Sequence, residues 1–206
     1  MLMVPKKDIL TNQIRLVVFD LDGTLYHKRG MVRRMMCAAP FDWRRMLAER
    51  KTRQFLRGRY LQDMANFYHT YFYTMASFCS QTPEQLRLWY EEKYMPLMVS
   101  VIRKYYKPVE WLAAFVSDCR SLGVKLVVLS DYGHTHEKLE ALGVDANLFD
   151  WVVSAPELGG LKPAPELLIQ VAERMGMNAT ECLVVGDRED TDVQLAKSVG
   201  AHFFLV

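Results

Sequence analysis

Five short apolar runs, most of them ending in a polar residue, set the rhythm of this chain. Residues 14–20 read IRLVVFD, 124–131 VKLVVLSD, 151–154 WVVS, 181–187 ECLVVGD and 201–206 AHFFLV. The runs are continuous rather than alternating, and rich in Val and Leu, which is the pattern of strands buried on both faces. Between them, residues 108–122, 134–142, 163–175 and 190–199 read as helices. Each is followed by a glycine (Gly123, Gly143, Gly176, Gly200) suited to a left-handed C-cap, and Pro163 or Pro165 suits a first helical turn. Strands alternating with helices of this length predict βαβ crossovers. The expected fold class is α/β, a doubly wound, Rossmann-like parallel sheet.

Residues 30–105 break the rhythm, because no buried-strand run is visible in them. Phe67, Tyr68, Tyr71 and Phe72 recur at helical spacing, as do Leu86, Tyr90, Tyr94 and Leu97, and Pro40, Gly58, Pro83 and Pro96 punctuate the segment. This predicts an insertion of three or four helices after the first strand, its aromatics serving as core. The expected organisation is an α/β core of residues 1–29 and 106–206 with a helical cap over 30–105.

Composition narrows the class. Of the 206 residues 50% are hydrophobic and 24% charged, with a formal net charge of +2, so the chain can bury a core and is not disordered. Apolar runs break long before the ~18 residues a membrane span requires. The first fifteen residues carry no apolar stretch of signal-peptide length, so a cytoplasmic protein without a membrane partner is expected. Cys37, Cys79, Cys119 and Cys182 show no CxxC spacing and read as reduced thiols. The small net charge hides an asymmetry. Residues 28–59 carry eleven Lys or Arg against Asp42 and Glu49, a local charge of +9, and the remainder carries −7. No nucleic-acid-binding motif accompanies the basic stretch, and solvated helix faces are the usual fate of such charge.

In an open parallel sheet, ligands bind outside the carboxyl ends of the strands. Asp20, Asp131 and Asp187 fall there, with Asp22 in the first loop and Asp192 in the last. Carboxylates gathered at one edge repel one another, and a divalent cation relieves the repulsion. Mg²⁺ suits a set of hard oxygens with no nearby Cys or clustered His. Asp190 or Asp192 alone could equally be a helix cap, as Asp often is after a strand. His134 and His136, two apart, do not share a helix face and read as first-turn residues. In FDLDGTLY, residues 19–26, Asp20 and Asp22 could point the same way at strand spacing, one placed to attack and the other to handle a proton, with Gly23 supplying the turn.

These residues closely resemble the haloacid dehalogenase-like hydrolase superfamily, whose first motif is hhhDxDGT. Its second motif, a Ser or Thr ending an apolar strand, is matched by Ser130. The third, a Lys before a helix, is matched by Lys162, and the fourth, GDxxxxD, by Gly186, Asp187 and Asp192. The resemblance implies a phosphatase acting on a small phosphorylated metabolite, with Asp20 as nucleophile forming an aspartyl-phosphate and Asp22 as acid and then base. It further implies Mg²⁺ held by Asp20, the Asp22 carbonyl and Asp187, and a phosphoryl group bound by Ser130 and Lys162. Thr24, Asp131 and Asp192 are expected to act from around these. Asp131 stands where the family often has Asn, and is compatible with a bound phosphate only if its side chain turns away. Members that remove halide lack the acid at the position of Asp22, so dehalogenation is not expected. A phosphomutase with the same motifs is the enzymatic alternative. A non-catalytic protein with an anion- or nucleic-acid-binding cap is the other.

Overall fold

A computed structural model describes residues 4–206, so the first three residues of the core segment expected over 1–29 lie outside it. Five parallel strands, β1 (Leu16–Phe19), β2 (Lys125–Ser130), β3 (Trp151–Ser154), β4 (Cys182–Gly186) and β5 (His202–Leu205), form one sheet in the order β3-β2-β1-β4-β5. Each predicted run contains one strand. β1 lies at the centre, pairing through Phe19 with Val128 on one side and Val185 on the other.

The segment between β1 and β2 is helical: α1 (Met31–Ala38), α2 (Trp43–Leu56), α3 (Met64–Ala76), α4 (Pro83–Trp89) and α5 (Met95–Tyr105), followed by α6 (Leu112–Ser121). A π-turn over Tyr90–Tyr94 joins α4 and α5 into one unbroken rod, so the insertion consists of four rods. Pro96 has no amide hydrogen to continue an α-helical ladder, and the wider turn just before it lets the rod run on. The chain then supplies α7 (Thr135–Leu142), α8 (Pro165–Arg174) and α9 (Gln194–Ser198), the last entered through a π-turn at Glu189–Val193. These match the predicted helices to within a few residues.

Period-two alternation sorts the strand side chains onto two faces. Val17, Phe19, Leu126, Val128, Leu183 and Val185 join the cluster that includes α6, α7 and the inserted helices. Leu16, Val18, Val127, Leu129, Cys182 and Val184 join the cluster built by α8 and α9. Both faces are covered over β1 to β4, which is why those strands read as unbroken apolar runs; the edge strand β5 departs from the expected two-sided burial, with Phe203 exposed and its other residues half-buried.

The insertion is tied to the sheet loops by backbone. Leu61 N–H donates to the Gly159 carbonyl (2.7 Å), Leu161 N–H to that of Arg59 (3.2 Å) and Gly58 N–H to that of Lys162 (3.3 Å). This pins the loop that carries Lys162.

The aromatic residues of the insertion pack as expected, but not around a purely apolar centre. Glu49 of α2 is only 2% exposed. It accepts from the Tyr71 hydroxyl (2.8 Å) and the Tyr94 hydroxyl (3.1 Å) and pairs with Arg53 one turn on. A buried carboxylate requires such partners.

Candidate active site

The carboxyl ends of β1, β2 and β4 bring the predicted residues to one place. Asp20 directly follows β1, and its amide donates to the Val185 carbonyl across to β4 (2.9 Å). Ser130 ends β2 and Asp187 directly follows β4. Asp20, Asp22, Lys162, Asp187 and Asp192 line one cavity of about 360 Å³, while Ser130 lies behind Asp22.

Asp20 is 7% exposed, and both its oxygens are engaged. Thr24 Oγ1 donates to Oδ2 (2.9 Å) and Lys162 Nζ to Oδ1 (2.6 Å). Lys162 also donates to Asp192 Oδ1 (2.7 Å). Burial opposes the charge on this lysine, but Asp192 and Asp20 overcome it and hold the ammonium well above its usual range. Asp192 lies inside the π-turn rather than at a helix cap. Its other oxygen accepts from the Arg188 amide (3.2 Å). Gly186 makes the approach possible: a Cβ there would lie 2.4 Å from the Asp192 Cβ.

Asp22 is held by a different set of groups. Tyr26 donates its hydroxyl to Oδ1 (2.7 Å), while Ser130 (3.0 Å) and Lys138 (2.7 Å) both donate to Oδ2. Burial pushes this carboxyl up, but Lys138 and the three hydrogen bonds outweigh it, leaving the group below its ordinary value. Lys138 is fully buried on α7 and was not singled out from sequence. A signal was present: Thr135, Lys138, Leu139 and Leu142 share one helix face, and only Lys138 breaks its buried apolar pattern with a charge.

Asp187 faces Lys28, another residue sequence reasoning did not single out for the site. Lys28 Nζ lies 2.7 Å from Asp187 Oδ2 and 2.6 Å from the Asp22 carbonyl oxygen. Burial raises the Asp187 carboxyl, with the Lys28 contact working against it. Asp187 Oδ1 is buried and has no hydrogen-bond partner among the described residues. One oxygen each of Asp20, Asp187 and Asp192 lie within 4.8 Å of one another. A buried oxygen with no donor, beside two further carboxylates and a backbone carbonyl, is a donor set that fits a hard divalent cation.

Asp131 follows β2 directly, at the edge of the site. It lines both cavities of the site, and its Oδ1 accepts from the Lys162 amide (3.0 Å). Its carbonyl accepts from Arg53 Nη1 (2.5 Å), and the Arg53 guanidinium lies 3.7 Å from the centre of the Tyr132 ring. A second, adjoining cavity of about 480 Å³ opens between α1 and α2 on one side and these loops on the other. Of the eleven basic residues in 28–59, Lys28, Arg33, Arg50, Arg53 and Arg57 line the two cavities. Arg44 stacks on Trp43, and Arg45 pairs with Asp42 and Gln81, so both are occupied elsewhere. His134 precedes α7 as its N-cap in a left-handed conformation, and His136 falls in the first turn.

Comparison with known proteins follows the same lines. The chain is 36% identical over 110 residues to the glyceraldehyde 3-phosphate phosphatase of Methanocaldococcus jannaschii, covering 52% of this chain and 46% of that protein. It is 33% identical over 91 residues to protein SUPPRESSOR OF QUENCHING 1, chloroplastic, of Arabidopsis thaliana, covering 41% of this chain and 9% of that protein. The matched stretch is thus less than half the length of these relatives. Among solved structures, β-phosphoglucomutase from Clostridium difficile superposes with a TM-score of 0.65 at 21% identity, over 92% of this chain and 83% of that one, a likeness of fold. The family model for haloacid dehalogenase-like hydrolases matches residues 14–200. With a central parallel sheet and its motif residues gathered at one end, the chain belongs to the haloacid dehalogenase-like hydrolases.

Proposed function

We propose that the protein is a Mg²⁺-dependent phosphomonoester hydrolase acting on a small phosphorylated metabolite, with residues 30–105 as a cap over the α/β core. The observation that carries this reading is the pair of carboxylates two residues apart in one cavity, Asp20 against Lys162 and Asp22 against Ser130 and Lys138. One is set to attack and the other to move a proton. The phosphatase relative from Methanocaldococcus jannaschii supports the substrate class.

In the first step an Asp20 carboxylate oxygen attacks phosphorus, and the bond from phosphorus to the ester oxygen breaks. Asp22 is in place to give a proton to the leaving oxygen, a proton it takes up against the pull of Lys138, Tyr26 and Ser130, which hold its carboxyl below the ordinary value. In the second step Asp22 takes a proton from water, which attacks the same phosphorus. Inorganic phosphate leaves and the Asp20 carboxylate is regenerated. Lys162 donates to phosphoryl oxygens as negative charge builds on them, and Ser130 joins it by turning its hydroxyl from Asp22. Asp20, the Asp22 carbonyl and Asp187 would hold Mg²⁺, which when bound offsets the charge that keeps a carboxylate and a phosphate apart.

The test is phosphate release from an aryl phosphate such as p-nitrophenyl phosphate. Turnover with Mg²⁺, its loss on adding EDTA and its loss in a folded Asp20→Asn variant are expected. Wild-type turnover in that variant would overturn the assignment.

A further inference from the structure

Lys28 stands where the cation ligands converge. Its ammonium nitrogen touches the Asp22 carbonyl oxygen (2.6 Å) and Asp187 Oδ2 (2.7 Å), two of the three groups assigned above to Mg²⁺. The fit is close. A Cβ on Gly23 would lie 2.3 Å from Asp187 Oδ2 and 2.6 Å from Lys28 Nζ, so the missing side chain of Gly23 makes the space that the two groups share. The lysine side chain is 41% exposed and lines both cavities, so its path out is open.

A divalent ion on these oxygens would sit about 2.1 Å from each of them, within about 5 Å of an ammonium bound to the same atoms. Two cations at that separation repel strongly, and the carbonyl and carboxylate lone pairs cannot serve both fully. The neighbouring acids do not need Lys28, because Asp20 and Asp192 share Lys162 while Asp22 has Lys138. Asp187 has Lys28 on one oxygen and, among the described residues, no partner on the other.

We propose that Lys28 is the built-in competitor of the divalent cation. Its ammonium holds the Asp22 carbonyl and Asp187, and the metal binds by displacing it. The released ammonium then turns into the cavity beside Arg188, where an anionic ligand would meet it. This rests on the cation site of the proposed function, but not on turnover. The apparent dissociation constant for metal is raised by the reciprocal of the fraction of molecules with Lys28 withdrawn. If that fraction is about one in ten, the metal binds about tenfold more weakly than the oxygens alone would allow.

Calorimetric titration of the whole chain with Mn²⁺ and with Mg²⁺, without substrate and at fixed ionic strength, tests it. Lys28→Met should bind both ions at least about tenfold more tightly than the wild type. In EDTA the variant should melt below the wild type, and it should gain more melting temperature on adding Mg²⁺. Arg188→Met removes a charge from the same cavities but not from the shared oxygens, and should leave metal affinity nearly unchanged. Equal affinities in wild type and Lys28→Met overturn the competition while leaving the cation site standing, as does an equal gain in Arg188→Met. Failure of every form to bind either ion overturns the cation site and the competition together.

Discussion

The ammonium of Lys138 lies 2.7 Å from Asp22 Oδ2, and the lysine side chain is wholly buried. The two residues are 116 positions apart in sequence and meet because α7 packs against the loop after β1. Removing one partner of a buried ion pair leaves the other uncompensated, at a cost of about 3–5 kcal/mol. Lys138→Met should therefore lose about that much in urea or guanidinium unfolding. The Asp22→Asn/Lys138→Met double variant should recover at least half, since neither charge is then stranded. A double variant no more stable than Lys138→Met would show that the pair does not carry the loss.

Glu49 and Arg53 form the second buried charge pair to be tested. Glu49→Ala strands the guanidinium and leaves the Tyr71 and Tyr94 hydroxyls without their acceptor. A loss of about 3–5 kcal/mol is expected. The cycle with Arg53→Ala should show a coupling above about 1 kcal/mol, as for residues in direct contact. Additive losses in thermal or denaturant melts would contradict the pairing.

Gly186→Ala tests the close approach of Asp192. The new methyl carbon would lie 2.4 Å from Asp192 Cβ, so the Asp192–Lys162 pair must move. Overpacking of this kind costs about 1–3 kcal/mol, and turnover should fall with it. Gly133→Ala is the control. Its nearest contact is the Tyr68 hydroxyl at 3.5 Å, and a change within about 0.5 kcal/mol is expected.

The thiols give a pH dependence. Burial pushes Cys119 and Cys182 up to about 12, against an ordinary value of 9.0, whereas Cys37 is exposed and Cys79 half-buried. A thiol reagent at pH 8 should modify Cys37 first, then Cys79, and reach the other two only on unfolding. Because the folded values are raised, their contribution to stability is complete below pH 9 and is lost as pH rises from 9 toward 12, where the unfolded chain ionises first. Other groups of the unfolded chain ionise over the same window. The comparison is therefore with Cys119→Ala/Cys182→Ala, whose midpoint should decline less steeply over that window.

Much of the fold was legible because both faces of β1 to β4 are covered, and an unbroken Val- and Leu-rich run such as residues 182–185 has few other uses. Four carboxylates of the site were legible for a related reason, since Asp20 and Asp187 directly follow strands, Asp22 lies in the loop after β1 and Asp192 in the turn that leads from β4 into α9. Lys138 was not. A lysine on a short helix reads as solvated, and only the burial of its neighbours shows that its charge points inward. Arg53 was hidden in the same way among eleven basic residues, most of which lie on helix surfaces.

The sequence by itself determined the parallel sheet, the helical insertion and the order of the acids along it, because these rest on local periodicity and on turn chemistry near in the chain. Which charges compensate which acids was decided only by the tertiary structure. Lys162 is 142 residues from Asp20, Lys138 is 116 from Asp22, and Lys28 reaches Asp187 across the space left by Gly23. Ion pairs act through distance in space, and no spacing along the chain encodes that distance until the helices have packed.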